Sequence, residues 1–221
     1  MKIILKTVPL LVLVLVGVWY ANGNGNEVLP PSDATPPTNT VPGGSVTLTF
    51  DFDTGSPALP AQMSNTPFEQ TVGGVTADFS SPSDPAAFSI QNYDTTFFTL
   101  SEFSGNYLYP NKSSRTNLYI RFSQTLTSIA LTFATIEYHG VGEVDEPTTI
   151  KLTAYMDSTG TPAVGSATAR GVFAEGYTYP QGTLSFNSGG QPFSMVEIGL
   201  LYQQRGATSF LIDKVVVTTS P

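Results

Sequence analysis

Residues 118–135 read LYIRFSQTLTSIALTFAT, and apolar side chains alternate with polar or small ones in both halves of this stretch. The apolar positions are Leu118, Ile120, Phe122, Ile129, Leu131 and Phe133. Successive side chains of a β-strand point to opposite sides, so a period of two predicts strands that each place one face on a hydrophobic core. No part of the chain beyond residue 44 has a helical period.

The same period recurs elsewhere in the chain. The other apolar positions that follow it include Val46, Leu48, Phe50, Phe52, Val196, Ile198 and Leu200. Gly73-Gly74, between FEQTV and VTADF, is typical of a two-residue hairpin. Roughly ten or eleven short strands separated by such turns predict an all-β fold, an antiparallel β-sandwich of jelly-roll type.

The last predicted strand changes its apolar face. Phe210 and Ile212 occupy even positions, whereas Val215 and Val217 occupy odd ones. An extra residue in the strand at Asp213-Lys214 would produce this switch, so the sequence predicts a β-bulge that re-aims the side chain of Asp213.

Charge and composition exclude several classes of function. The chain has a net charge of −8, with 17 acidic and 9 basic residues. Such a surface repels phosphate backbones and anionic lipid, so we do not expect nucleic acid as a partner. The chain has no cysteine, which excludes disulfides and thiol chemistry.

The first 44 residues are expected to lie outside the folded domain. Lys2 and Lys6 precede an apolar run of 14 residues and a small-residue end at Ala21-Asn22-Gly23, the pattern of a secretory signal peptide over 1–23. A retained membrane anchor is the alternative, although a span needs about 20 apolar residues. Residues 24–44 contain five prolines and predict a flexible linker, or an arm donated to a neighbouring subunit. The β-sandwich domain would then occupy 45–221, exported to the cell surface or the medium and with no membrane contact after cleavage.

Three strands carry a resemblance to a known group of proteins. TFDFDT (49–54), LTSIALTFAT (126–135) and SFLIDKVVVT (209–218) resemble extracellular bacterial jelly-roll modules, of the galactose-binding-like kind found in exported proteins with a PEP-CTERM sorting tail. We expect no such tail, since the sequence up to Pro221 contains no apolar segment after the last predicted strand. The resemblance implies a structural Ca²⁺ where the first and last strands meet. It implicates Asp213, with Asp51 and Asp53 as partners.

Two other groups of residues are candidate sites. Tyr107 and Tyr109, and likewise Tyr177 and Tyr179, would place two rings on one side of an extended segment, where a sugar could stack. Their alternative role is to cover the edge of the core. The second group is the acidic stretch from Glu137 to Glu146, which contains His139, the only histidine. It could bind a metal but is more typical of a solvated hairpin tip.

Enzyme chemistry has little support in the sequence. No GxSxG, HExxH or phosphate-binding glycine loop occurs. We therefore expect a secreted, non-enzymatic module that binds a glycan or cell-surface polymer, with a structural calcium. The alternatives are a surface-layer or filament subunit that assembles through sheet edges and the N-terminal arm, and a glycoside hydrolase with a carboxylate pair.

Overall fold

A computed structural model describes residues 44–53, 65–93, 99–111, 115–137, 146–173, 175–203 and 206–221. These residues form 11 antiparallel strands and no helix, which confirms the predicted all-β class and strand count. The strands are β1 Thr47–Phe50, β2 Phe68–Val72, β3 Val75–Ser80, β4 Phe88–Asn92, β5 Asn106–Pro110, β6 Leu118–Ile136, β7 Thr149–Tyr155, β8 Ala163–Arg170, β9 Gln181–Asn187, β10 Phe193–Leu200 and β11 Ser209–Thr219. Within the described ranges, no helix could cross a membrane.

Strand β6 belongs to both layers of the fold. Its first part, Leu118–Phe122, pairs with β3 on one side and β10 on the other. Its second part, Ser128–Ile136, pairs with β11 and β9. The two apolar runs of this stretch, predicted as separate strands, are therefore one strand of 19 residues.

The pairings define an antiparallel β-sandwich. One layer has the order β2-β3-β6-β10-β7-β8, and the other has the order β4-β5-β11-β6-β9, with β1 also paired to β11. The apolar faces of the two layers form one core that includes Leu118, Ile120, Leu131 and Phe133. Each fully buried side chain of this size contributes about 1.5–3 kcal/mol to stability. The jelly-roll type of the sandwich stays a prediction.

The first strand enters the core through aromatic side chains. Phe50 and Phe52 are fully buried, as the alternation predicts. The ring of Phe52 packs 5.2 Å from that of Phe79 in an edge-to-face arrangement, a favourable geometry for aromatic pairs. Val46 is 52% exposed, contrary to the alternation, because it precedes β1 at the end of the sandwich.

The predicted bulge and the predicted hairpin are both present. The pairing of β11 with β6 shifts register between Ile212 and Val215, and the apolar face changes there. Gly73 and Gly74 connect β2 and β3 with φ angles of 55° and 80°. Glycine adopts this left-handed conformation without the steric cost that other residues meet.

Candidate functional site

The bulge buries the carboxylate of Asp213. The residue is 1% exposed, and its Oδ2 accepts the backbone N–H of Ser104 at 3.2 Å. Ser104 lies just before β5, which pairs with β11 at Ile212. The bulge therefore aims Asp213 at the segment that leads into a neighbouring strand.

The other two predicted calcium ligands lie in a turn, not in a strand. Strand β1 ends at Phe50, and Asp51 Oδ1 accepts the backbone N–H of Asp53 at 3.0 Å. Phe52 between them has a φ of 61°, in the left-handed region. Strand pairing therefore ends at Phe50, although Phe52 is still buried as the alternation predicts. The Asp51 side chain offers the backbone a local turn that competes with strand pairing.

The turn of Asp51 and Asp53 is tied to the same segment as Asp213. Asp53 Oδ1 accepts the backbone N–H of Asn106 at 2.8 Å, and the carbonyl oxygen of Phe52 accepts a hydrogen bond from Asn106 Nδ2 at 3.1 Å. The start of β5 thus contacts Asp53 through Asn106 and Asp213 through Ser104.

Electrostatics connects the three aspartates. Burial raises the pKa of Asp213 to about 7; the hydrogen bond from Ser104 and the charge of Lys214 oppose this, whereas the charges of Asp53 and Asp51 add to it. Carboxylate oxygens are the ligands that Ca²⁺ prefers, so the donor chemistry fits the predicted ion. However, no three acidic or histidine side chains of the described segments are arranged to hold a metal ion.

None of the four tyrosines of the two predicted pairs is fully exposed to solvent. Tyr107 is fully buried in a second small core with Leu100, Phe103 and Leu211. A sugar cannot stack on a ring that has no solvent-facing side, so the prediction that Tyr107 binds a ligand is wrong. The cause is that both faces of this part of the sheet are covered: Leu108, the next residue, is also buried.

The other three tyrosines are half-buried. Tyr109 and Tyr179 both pack against the second core, and burial, with the nearby Tyr109, raises the pKa of Tyr179. The structure thus brings together one member of each predicted pair. Tyr177 is also half-buried, in the turn that precedes β9.

The first and last residues of the acidic stretch, Glu137 and Glu146, each make contacts within the fold. Glu137 is buried and accepts hydrogen bonds from the Thr148 backbone N–H at 2.8 Å and from the hydroxyl of Thr135 at 2.8 Å. Glu146 pairs with Arg170. Residues 138–145 lie outside the described residues.

A groove on the outer face of β6, β10 and β7 was not predicted from the sequence. Its volume is about 200 Å³. The lining residues are Asn117, Lys151, Thr153, Glu197, Gly199, Leu200 and Leu201. Glu197 lies opposite Tyr119 of β6 and Thr153 of β7, and Gly199 lies opposite Lys151. Three adjacent strands thus present polar side chains to one concave surface.

Three hydrogen bonds fix Glu197 within this groove. Its Oε1 accepts Asn117 Nδ2 at 2.6 Å and the Tyr119 hydroxyl at 2.8 Å. Its Oε2 accepts the Tyr155 hydroxyl at 2.8 Å. Burial raises the pKa of Glu197, but these hydrogen bonds and the charge of Lys151 outweigh it, so the net direction is downward. The carboxylate is therefore charged at neutral pH.

The pKa values of Tyr155 and Tyr119 reflect their burial and their hydrogen bonds to Glu197. Burial, followed by the hydrogen bond to Glu197, raises the pKa of Tyr155 to about 12. Burial and the same partner also raise the pKa of Tyr119. Both hydroxyls hence keep their protons at neutral pH and act as donors to Glu197.

Gly199 makes room for the side chain of Asn117 in the groove. A Cβ atom on Gly199 would lie 2.2 Å from Asn117 Oδ1, so the amide of Asn117 occupies the space above this residue. Any larger residue at position 199 would displace Asn117 and with it one of the donors to Glu197.

An exposed aromatic ring adjoins the groove. Tyr202 follows the lining residue Leu201 and is 82% exposed. The guanidinium of Arg115 lies 4.6 Å from its ring centroid, and Arg115 Nη2 donates to the Gln203 carbonyl at 3.0 Å. The cation covers one face of the ring and limits its movement.

Sequence reasoning missed this groove because its residues come from three strands between positions 117 and 202. A signal was available: Tyr119, Lys151, Thr153, Tyr155 and Glu197 are the outward positions of strands whose inward positions are apolar. Alternation identifies such outward residues, but only the strand order places β6, β10 and β7 side by side.

Comparisons with known proteins do not assign a family. No protein-family profile matches the chain, and no curated protein matches it either. Among solved structures, the chain is similar to the isomalto-dextranase of Arthrobacter globiformis T6 complexed with panose, with a TM-score of 0.33 and 10% identity over 79% of this chain. It covers 32% of that enzyme's chain. A likeness this low carries no argument about activity.

Proposed function

We propose that the chain is an exported, non-enzymatic module that binds a carbohydrate in the groove across β6, β10 and β7. One observation carries the proposal: polar side chains held in place around Glu197 line a concave surface, and the exposed Tyr202 directly follows the lining residue Leu201. Binding sites for small ligands combine a few fixed polar groups with apolar or aromatic surface. A sugar ring offers hydroxyls to the first and C–H groups to the second.

Binding is favoured over hydrolysis by the charges in the groove. Its described lining contains one carboxylate, Glu197, whereas most glycoside hydrolases use two on either side of the bond. Moreover, both oxygens of Glu197 accept hydrogen bonds from neighbouring side chains, which orients the carboxylate but leaves it a poor base or nucleophile.

The test is a glycan-array screen of the full chain followed by titration calorimetry with the best oligosaccharide. Tyr202→Ala should weaken binding about two- to tenfold if the ring stacks on the sugar, since an aromatic contact is worth about 0.5–1.5 kcal/mol beyond the area that it buries. Tyr177→Ala is the matched control, because Tyr177 lies in the turn before β9 and outside the groove. Loss of binding in Tyr177→Ala alone would instead place the ligand at the loop tyrosines, and no binding to any glycan would refute the proposal.

We also propose that Ca²⁺ binds near Asp213 and joins the end of β1 to the bulge of β11. Support comes from the carboxylates of Asp53 and Asp213, which both accept hydrogen bonds from the segment 104–106. Burial also disfavours the anion of Asp213 unless a proton or a cation accompanies it. A ligand that binds only the folded state adds about 2.7 kcal/mol at a hundred times its dissociation constant. Millimolar Ca²⁺ should thus raise the thermal midpoint of the wild type relative to EDTA, and it should not raise that of Asp213→Ala.

The control for the calcium test is Glu175→Gln, because Glu175 is exposed and lies in the turn that precedes β9. This variant should keep the full calcium response. A response that survives in Asp213→Ala would place the ion elsewhere, and no response in the wild type would refute the calcium proposal without affecting the groove.

A second candidate function is assembly through an open sheet edge. Strand β8 pairs only with β7 among the described strands, and its sequence AVGSATAR has no proline or lysine to block another strand. Light scattering of the full chain over a range of concentrations tests this. Ser166→Lys and Thr168→Lys, both at exposed positions, should dissolve any polymer, and a monomer at all concentrations would refute the assembly.

A further inference from the structure

The groove contains a lysine, Lys151, that forms no ion pair with the described residues: none of their carboxylates lies within 4.0 Å of its ammonium. Two arginines of the sandwich are paired, Arg121 with Asp78 at 3.7 Å and Arg170 with Glu146. Lys151 lines a concave surface instead, where a ligand can reach it.

Glu197 is not an ion-pair partner of Lys151. Its two oxygens already accept three hydrogen bonds, at 2.6–2.8 Å, from Asn117, Tyr119 and Tyr155. The carboxylate therefore remains hydrogen-bonded to these three donors. Lys151 interacts with it only by electrostatic attraction, without an ion-pair contact. The three ammonium hydrogens of a lysine remain available for other acceptors.

The groove lining carries one positive and one negative side chain, Lys151 and Glu197, in a chain with a net charge of −8. Arg115 adds a second positive charge beside Tyr202. At physiological ionic strength, charges beyond about 8 Å are largely screened. A short anionic ligand in the groove would consequently interact mainly with these nearby charges.

We infer that the groove takes an oligosaccharide with one acidic sugar, whose carboxylate or sulfate is bound by Lys151. This inference rests on the proposed carbohydrate-binding function. Asn117 Oδ1, which lies above Gly199, accepts a sugar hydroxyl. The ring of Tyr202 supplies the apolar contact next to it.

Titration calorimetry with three short probes separates the sources of the anion: a trimer of two galactose units and one galacturonate, a galactose trimer with one sulfate, and a neutral galactose trimer. The acidic trimer that fits should bind about tenfold tighter than the neutral one, because a charge-assisted hydrogen bond is worth about 1.5–3 kcal/mol. Its affinity should fall with added salt, and that of the neutral trimer should not.

Three variants of the full chain assign the effect to one side chain. Lys151→Met removes the charge and keeps the length of the side chain, so it should abolish the preference for the acidic trimer. Lys151→Arg retains the charge and should retain the preference. Lys214→Met is the control, because Lys214 is exposed and lies in the bulge of the other layer.

Equal affinity for the acidic and neutral trimers in the wild type would overturn the inference and leave the proposed function intact. A preference that persists in Lys151→Met, with an unchanged thermal midpoint, would overturn it as well. Binding of none of the three trimers, together with no signal on the glycan array, would overturn the proposed function itself.

Discussion

The hydroxyl of Tyr155 on β7 donates a hydrogen bond of 2.8 Å to Oε2 of Glu197 on β10, across the boundary between two neighbouring strands. This pair holds the carboxylate in one orientation on the outer face of the sheet. Two more donors, Asn117 and Tyr119, reach the same carboxylate from the opposite side. An outer sheet face that would otherwise be flexible is thereby made rigid before any ligand arrives.

Removing the Tyr155 hydroxyl should cost stability. A hydrogen bond to a charged group contributes about 1.5–3 kcal/mol, and less where water can replace it, so we expect Tyr155→Phe to lower the free energy of unfolding by about 1 kcal/mol. Urea denaturation measures the difference. Tyr177→Phe, also at a half-buried position, should change the stability by less than about 0.5 kcal/mol. Equal losses in both variants would contradict the role of the Tyr155–Glu197 pair.

Stability without calcium should decrease as the pH rises toward neutrality. Burial raises the pKa of Asp213 to about 7, whereas an unfolded aspartate titrates near about 3.9. Between these values the folded state holds one proton more than the unfolded state, so the free energy of unfolding falls by up to about 1.4 kcal/mol per pH unit. Above the folded pKa this loss is complete.

Urea denaturation in EDTA at a series of pH values between these limits tests this expectation. Asp213→Asn has no titrating group at position 213, so its stability should fall less steeply than that of the wild type. Parallel pH profiles of the two proteins would show that Asp213 does not hold the extra proton.

Replacing Gly105 should disturb the start of β5. Gly105 has a φ of 62°, and a Cβ atom there would lie 2.2 Å from Asp53 Oδ2. Gly105→Ala therefore costs about 1 kcal/mol for the left-handed backbone and about 1 kcal/mol more for the displaced Asp53–Asn106 hydrogen bond. Gly74→Ala is matched, since Gly74 has a φ of 80° and no atom within 4 Å of the added Cβ. In thermal denaturation, the midpoint of Gly105→Ala should be lower than that of Gly74→Ala. The reverse order would disprove the close approach of Gly105 to Asp53.

Thr148 should be more important for stability than its small size suggests. It is fully buried, donates from Oγ1 to Glu137 Oε2 at 3.0 Å, and accepts the Ala207 backbone N–H at 2.6 Å. Thr148→Val keeps the shape but leaves a buried N–H and a carboxylate oxygen without this partner, a loss of about 2–4 kcal/mol. The exposed Thr168→Val should stay within about 0.5 kcal/mol in the same urea experiment. A near-neutral Thr148→Val would mean that other groups satisfy these atoms.

The fold was predictable where a pattern depends on neighbouring residues alone. Alternation identified the buried positions around Leu131 and Phe133, and the change of parity in the last strand located the bulge at Asp213. Alternation did not show that the strand ends at Phe50, where the Asp51 side chain forms a hydrogen bond to the backbone of its own turn. It also failed at Tyr107, because a second small core covers the face that a two-layer sandwich would leave open.

The groove could not be predicted from such patterns, for another reason. Asn117, Lys151 and Glu197 become neighbours only through the order β6-β10-β7, in which the second-last strand of the chain lies between two earlier ones. The spacing of residues along the sequence contains no direct record of that order. The site is therefore a property of the strand topology.

The antiparallel pairing of β1 with β11 has a mechanical consequence. Thr47, at the start of β1, lies opposite Thr218, near the end of β11, so Gly44 and Pro221 lie at the same end of this pair. Tension applied between these two residues would pull the strands apart like a zipper, breaking one backbone hydrogen bond after another beginning at Thr47. Such a geometry resists force weakly, and β1 would detach before the load reached β6.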